Sequence, residues 1–150
     1  MTRFFKKLLT LTLLAISATS CSLALLSDES EKLDGDLKIV VTGVASDVVS
    51  NTPLTGIKIT FSAYKENSIS ILPLASQTVY TNSDGIYTIQ AEGFSEAITC
   101  TITAESIEQD EVQYEEITSR IVVTWSGDSF DEETGTFFVN DCNFQLKKKE

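Results

Sequence analysis

Histidine is absent from this 150-residue chain, and its absence removes the commonest general base and the commonest protein metal ligand together. Basic residues are scarce as well, 11 against 22 acidic, and the formal net charge of −11 repels nucleic acid and anionic surfaces. There are only two prolines and one tryptophan, and no window carries a sustained helical stripe. The longest apolar run, Leu8 to Ala18, is about half the ~20 residues that a membrane-spanning helix needs. These shortages exclude nucleic-acid binding, helical membrane passage and histidine-based catalysis.

What is present begins at the N-terminus. Arg3, Lys6 and Lys7 precede the uncharged run, and Ala18-Thr19-Ser20 places small residues before Cys21. This order resembles the bacterial type II signal peptide, departing from it at Ala18, where leucine is preferred. The resemblance implies a leader over residues 1–20 and acylation of Cys21. Each buried methylene of an acyl chain contributes about 0.8 kcal/mol to membrane attachment, so several chains make a lasting anchor. Ser22, a non-aspartate, implies sorting to the outer membrane. Loss of residues 1–20 leaves 8 basic against 22 acidic residues, a net charge of −14. Residues 21–35 read as the acylated cysteine and a flexible acidic tether, and residues 147–150 as a short basic tail.

From Asp36 to Leu146 the texture is that of strands. Leu37, Ile39 and Val41 alternate with Lys38 and Thr42, interrupted by Val40. Ile57, Ile59, Phe61 and Ala63 alternate cleanly with Lys58, Thr60 and Ser62, as do Ile98, Cys100, Ile102 and Ala104 with the intervening threonines. Weaker strand signals cover 75–81, 86–89, 117–125 and 136–146, with Asn140-Asp141 as a bulge in the last. Asp84-Gly85, between two strand runs, predicts a hairpin turn, because glycine accepts the positive φ such turns need. Acidic loops occupy 106–116 and 126–135. About seven strands with regularly spaced turns predict one all-β domain, an antiparallel β-sandwich over residues 36–146.

Val41-Thr42-Gly43-Val44, then Thr52-Pro53-Leu54-Thr55-Gly56-Ile57, then Asn82-Ser83-Asp84-Gly85-Ile86-Tyr87 resemble the carboxypeptidase regulatory-like domain. The resemblance covers residues 37–91. It implies a transthyretin-like sandwich serving as a structural or binding module, with no catalytic residues to carry over.

Candidate chemistry is sparse. Asn82, Asp84 and Gly85 mimic part of an EF-hand, but Tyr80 and Ala91 occupy essential ligand positions, so no metal is expected there. Asp128, Asp131, Glu132 and Glu133 read as a solvated acidic loop. Gly127-Asp128-Ser129 is similar to the start of a serine esterase family, yet no histidine exists to activate the serine. Tyr64, Tyr80, Tyr87, Tyr114 and Trp125 are either ligand-facing aromatics or core packing. Cys100 and Cys142 each share a face with apolar neighbours, which leaves a disulfide and two reduced core thiols as open alternatives.

The function expected from the sequence is therefore a non-enzymatic lipoprotein of the cell envelope. It would hold to the membrane through Cys21 and act as an adhesion, scaffold or accessory module. The alternative is a glycan-binding surface lipoprotein. A protein or glycan partner is expected, and no cofactor.

Overall fold

The computed structural model describes residues 35–108 and 110–150. The leader over 1–20, Cys21 and the tether up to residue 34 lie outside the described residues.

Nine strands follow in order: β1 (Leu37–Asp47), β2 (Lys58–Lys65), β3 (Ala75–Tyr80), β4 (Ile86–Phe94), β5 (Ile98–Glu105), β6 (Ile117–Val123), β7 (Phe130–Asp131), β8 (Thr136–Val139) and β9 (Phe144–Leu146). No helix occurs among the described residues. The strands form two sheets, β4-β1-β8-β7 with β9 also on β1, and β3-β2-β5-β6. The all-β sandwich expected from the sequence is the observed architecture.

Period-two alternation explains the layering. In β1 the residues Ile39, Val41, Ala45 and Asp47 are buried, and most of the intervening side chains are half-buried on the outer face. Ile59, Phe61 and Ala63 of β2 and Ile98, Cys100, Ile102 and Ala104 of β5 are all fully buried and face them. Phe94, Ile89, Phe144 and Leu146 complete the core. At about 25 cal/mol per Å² of apolar area, each large apolar side chain among them contributes roughly 1.5–3 kcal/mol.

Three details differ from the sequence expectation. First, the sheet containing β1 is mixed. Lys38 to Val41 pair in parallel with β8, and Ala45 to Asp47 pair in parallel with β9. Alternation fixes which face is buried but is blind to strand direction. Second, the expected last strand is broken into β8 and β9 at Asn140–Asn143, with Asp141 at φ 58°. Third, Asp84-Gly85 is a tight turn with Gly85 at φ +71°, but it is not a hairpin turn. β3 pairs with β2, whereas β4 pairs with β1, so the turn carries the chain between sheets. The Asn82 side-chain oxygen organises it, accepting from the amides of Asp84 and Ile86 at 2.9 Å each. A Cβ on Gly85 would also lie 2.5 Å from the Ala45 carbonyl oxygen.

The break between β8 and β9 is pressed onto β1 at Gly43. The Cys142 amide donates to the Thr42 carbonyl at 3.0 Å, and a Cβ on residue 43 would fall 1.9 Å from the Cys142 carbonyl oxygen. That same oxygen accepts from the Tyr87 hydroxyl at 2.6 Å. Only a hydrogen fits at position 43. Gly43→Ala is therefore expected to lower stability by about 1–3 kcal/mol, as overpacking against backbone does. A urea midpoint equal to that of wild type would show that the connector is not held against β1.

Candidate functional site

The residues singled out from the sequence do not converge. Tyr87 is buried under the β8–β9 connector, where burial and its hydrogen bond to Cys142 raise its pKa well above the ordinary phenol range. Tyr114 is buried at the far end of β1, its hydroxyl 3.4 Å from Asp47 Oδ2, and burial followed by that carboxylate raises its pKa. Tyr80 is exposed and Tyr64 half-buried on the other sheet. Trp125 has φ 53° and packs on Phe94 at 5.8 Å, edge-on to Phe130 and Phe137. Its indole nitrogen donates to the Glu96 carbonyl at 2.6 Å. These rings are mainly packing elements and build no shared platform.

Cys100 and Cys142 are both free. Cys100 pairs with Ala63 and Ile121 inside the sheet of β2, β5 and β6. Cys142 lies against β1 in the other sheet. Facing sheets stand about 10 Å apart, beyond the ~7 Å Cα limit of a disulfide. The disulfide alternative therefore gives way to two reduced thiols.

The carboxylates are likewise engaged locally. Asp47, although buried, accepts from the amides of Ser50 and Val49 at 2.9 Å, and those bonds hold its pKa below the usual carboxylate value. Asp131 accepts from the Thr134 hydroxyl at 2.8 Å and the Glu133 amide at 3.0 Å, which lower its pKa. Among the described residues no group of three or more His, Cys, Asp or Glu is placed to hold a metal. A groove of about 340 Å³ lies where the chain enters β1, lined by Gly35, Asp36, Lys38, Glu92 and Gly93, and Lys38 and Glu92 are 3.9 Å apart across it.

One surface that no sequence motif marks is the edge of β6. All seven residues of β6 pair with β5, and β6 ends its sheet. Its outward side chains Thr118, Arg120 and Val122 are exposed and continue the rows of Thr103, Thr101 and Thr99 on β5. Thr103 and Thr118 hydroxyls meet at 2.8 Å, and Ser62 and Ser76 at 3.4 Å. The Lys58–Glu105 pair at 2.7 Å lies on the same face. Arg120 makes no ion pair among the described residues.

No protein-family model matches the sequence, and no curated protein sequence matches it. Solved structures do resemble it. A single-site mutant of catechol 1,2-dioxygenase from Acinetobacter radioresistens superposes with a TM-score of 0.51 at 12% identity, covering 82% of this chain and 56% of that one. The 3-chlorocatechol 1,2-dioxygenase of Rhodococcus opacus 1CP gives 0.49 at 14% identity, covering 77% and 61%. Hydroxyquinol 1,2-dioxygenase of Pseudomonas putida DLL-E4 gives 0.46 at 10% identity, covering 75% and 57%. The chain thus spans less than two thirds of each of these proteins, and the likeness is one of fold.

The likeness corrects the expected function. The Acinetobacter enzyme, at a TM-score of 0.51, shares this fold, so the fold does not imply a non-enzymatic adhesion, scaffold or accessory module, nor the glycan-binding alternative. Both assignments are withdrawn. The enzymatic activity does not carry over either. Oxygen chemistry calls for a redox-active metal or organic cofactor. This chain has no histidine, gathers no acidic or thiol cluster among the described residues, and keeps Tyr87 and Tyr114 protonated as hydrogen-bond donors. The described residues do not fit a metal of that kind.

The thiol geometry is directly testable. Cys100 is fully buried, and burial pushes its thiol up to about 12. In the denatured, unreduced protein both Cys100 and Cys142 are expected to react with a thiol reagent, and in the native protein Cys100 is expected to stay silent. Finding neither thiol free after denaturation would contradict the two-sheet placement.

Proposed function

We propose that this chain is an acylated lipoprotein of the bacterial outer membrane, anchored through Cys21. In this reading β6 takes up an extended segment of another protein as an added strand, a partner site that neither requires nor excludes an activity of the sandwich. The leader and Ser22 support the anchor. The resemblance of residues 37–91 to a carboxypeptidase regulatory-like domain belongs to the same reading, since that stretch runs from β1 into β4.

One observation carries the binding claim: a seven-residue terminal strand with an exposed arginine near its centre that has no ion-pair partner among the described residues. A terminal strand offers a row of backbone donors and acceptors, and strand addition uses that row for affinity and alternate side chains for selectivity. The other edge of the sheet, β3, is a poorer docking edge because it lies beside β4 of the facing sheet. Arg120 also decides between partners. In the symmetric antiparallel register of two β6 strands centred on residue 120, two guanidinium groups would face each other, which destabilises pairing with a second copy. A strand with a carboxylate at that position gains a cross-strand ion pair instead.

The test uses a photo-cross-linking residue at Thr118 or Val122 in the protein expressed in its envelope. A specific adduct is expected from either position and none from Thr78 on β3. Arg120→Glu is expected to cut the adduct yield by about fivefold or more, corresponding to about 1 kcal/mol. Adducts that ignore the charge reversal, or that form equally from β3, would refute strand addition at β6.

A further inference from the structure

The loop between β2 and β3 carries some of the most exposed apolar side chains of the described chain. Ile69, Ile71 and Leu72 are 101%, 89% and 74% exposed. From Asn67 to Ser83 the sequence has no charged residue, which stands out in a chain with a net charge of −11. Ser68 and Ser70 fold the loop locally, their hydroxyls accepting from the amides of Ser70 and Leu72 at 3.0 and 3.3 Å. The apolar side chains are left facing outward. Three large apolar residues close together in solvent are a marked feature of a small domain.

The place of the loop in the fold indicates what covers it. β1 begins at Leu37, which lies opposite Phe94 at the end of β4. Gly35, where the described chain enters, donates its amide to the Gly93 carbonyl at 2.9 Å. Three residues beyond Phe94, the Ala97 carbonyl accepts from the Glu66 amide at 3.2 Å, and Lys65 pairs with Glu96 at 2.9 Å. The β2–β3 loop therefore stands at the same pole of the sandwich as the start of β1. Trp125, bonded to the Glu96 carbonyl, is at this pole too. The opposite pole carries Val48 and Val49 beside Asp47 and Lys148.

We propose that this pole faces the lipid bilayer and that Ile69, Ile71 and Leu72 sit in its interfacial zone. The domain would then have a fixed orientation on the membrane rather than swinging on its tether. This rests on the anchor proposed above: Gly35, the first described residue, enters at this pole, so an anchor upstream of it is joined to the domain here. The lipid surface must be zwitterionic, since Asp36, Glu66, Glu92 and the acidic loop 126–135, which joins β6 to β8 at this pole, repel anionic headgroups. Apolar insertion there leaves β6 accessible along the side of the sandwich.

The acylated protein, reconstituted in phosphatidylcholine vesicles containing lipid brominated on its acyl chains, tests the orientation. Ile71→Trp is expected to add a blue-shifted emission quenched by the bromines, while the emission added by Val49→Trp at the other pole stays unquenched. Each is read against the parent, whose one tryptophan is Trp125. All three loop positions are exposed, so Ile69→Asp and Leu72→Asp can be added to Ile71→Trp without burying charge. That combination is expected to lower the quenching while the protein remains vesicle-bound. Equal quenching of the Ile71→Trp and Val49→Trp proteins would overturn the inference, as would an Ile71→Trp spectrum indifferent to brominated lipid. Failure of the anchor shows separately, as unchanged detergent-phase partitioning of Cys21→Ser, and the contrast between the two tryptophan variants still decides whether the loop meets lipid.

Discussion

The arrangement of this domain depends on one close backbone approach, the Cys142 carbonyl set against Gly43. A glycine there lets the connector between β8 and β9 lie on β1 with no side chain between them. Tyr87, directly opposite Gly43 in the β1–β4 register, supplies the hydroxyl that satisfies the Cys142 carbonyl. The Asn143 side chain accepts from the Val44 amide at 2.8 Å just beyond. One edge of β1 is thereby shared by two short parallel strands, which together close the first sheet and bring Phe144 and Leu146 into the core. Neither β8, with four residues, nor β9, with three, is long enough to hold that position by pairing alone.

With the C-terminal segment fixed on the first sheet, the second sheet is left to end at β6. Its outer face is a ladder of hydroxyls, and its terminal strand is flanked by acidic loops rather than by another strand. The two ends of the sandwich differ in kind. One gathers the chain entrance, the uncharged β2–β3 loop, Trp125 and the acidic loop 126–135. The other gathers Asp47, Tyr114 and the lysines of the C-terminus.

Much of this is legible in the residues. Strict alternation in 57–63 and 98–104 marks the buried faces of β2 and β5 correctly, because burial on one face leaves a period-two imprint. Gly85 is recognisable as a turn with positive φ. Its partners are not legible, since a turn sequence records local backbone need and not which sheet each flanking strand joins. The parallel pairing of β8 and β9 leaves no imprint for a similar reason. Nothing in the sequence marks Gly43 as the point where another backbone approaches β1. The edge at β6 escapes notice because it reads as an ordinary strand. Its signal is Arg120, a lone arginine amid β-branched residues, of the kind that native edge strands carry. Dioxygenase-like architecture is invisible, as 12% identity leaves no shared motif to read.

Native-state hydrogen exchange on the amides of β1 and of the segment from Thr136 to Leu146 tests the central claim most directly. If the Gly43–Tyr87–Cys142 contact holds the sandwich together, the Cys142 amide and those of β1 will exchange together, through the slowest opening of the protein. Rapid exchange across 136–146 while β1 stays protected would contradict it, and would make the C-terminal segment an appendage of the fold.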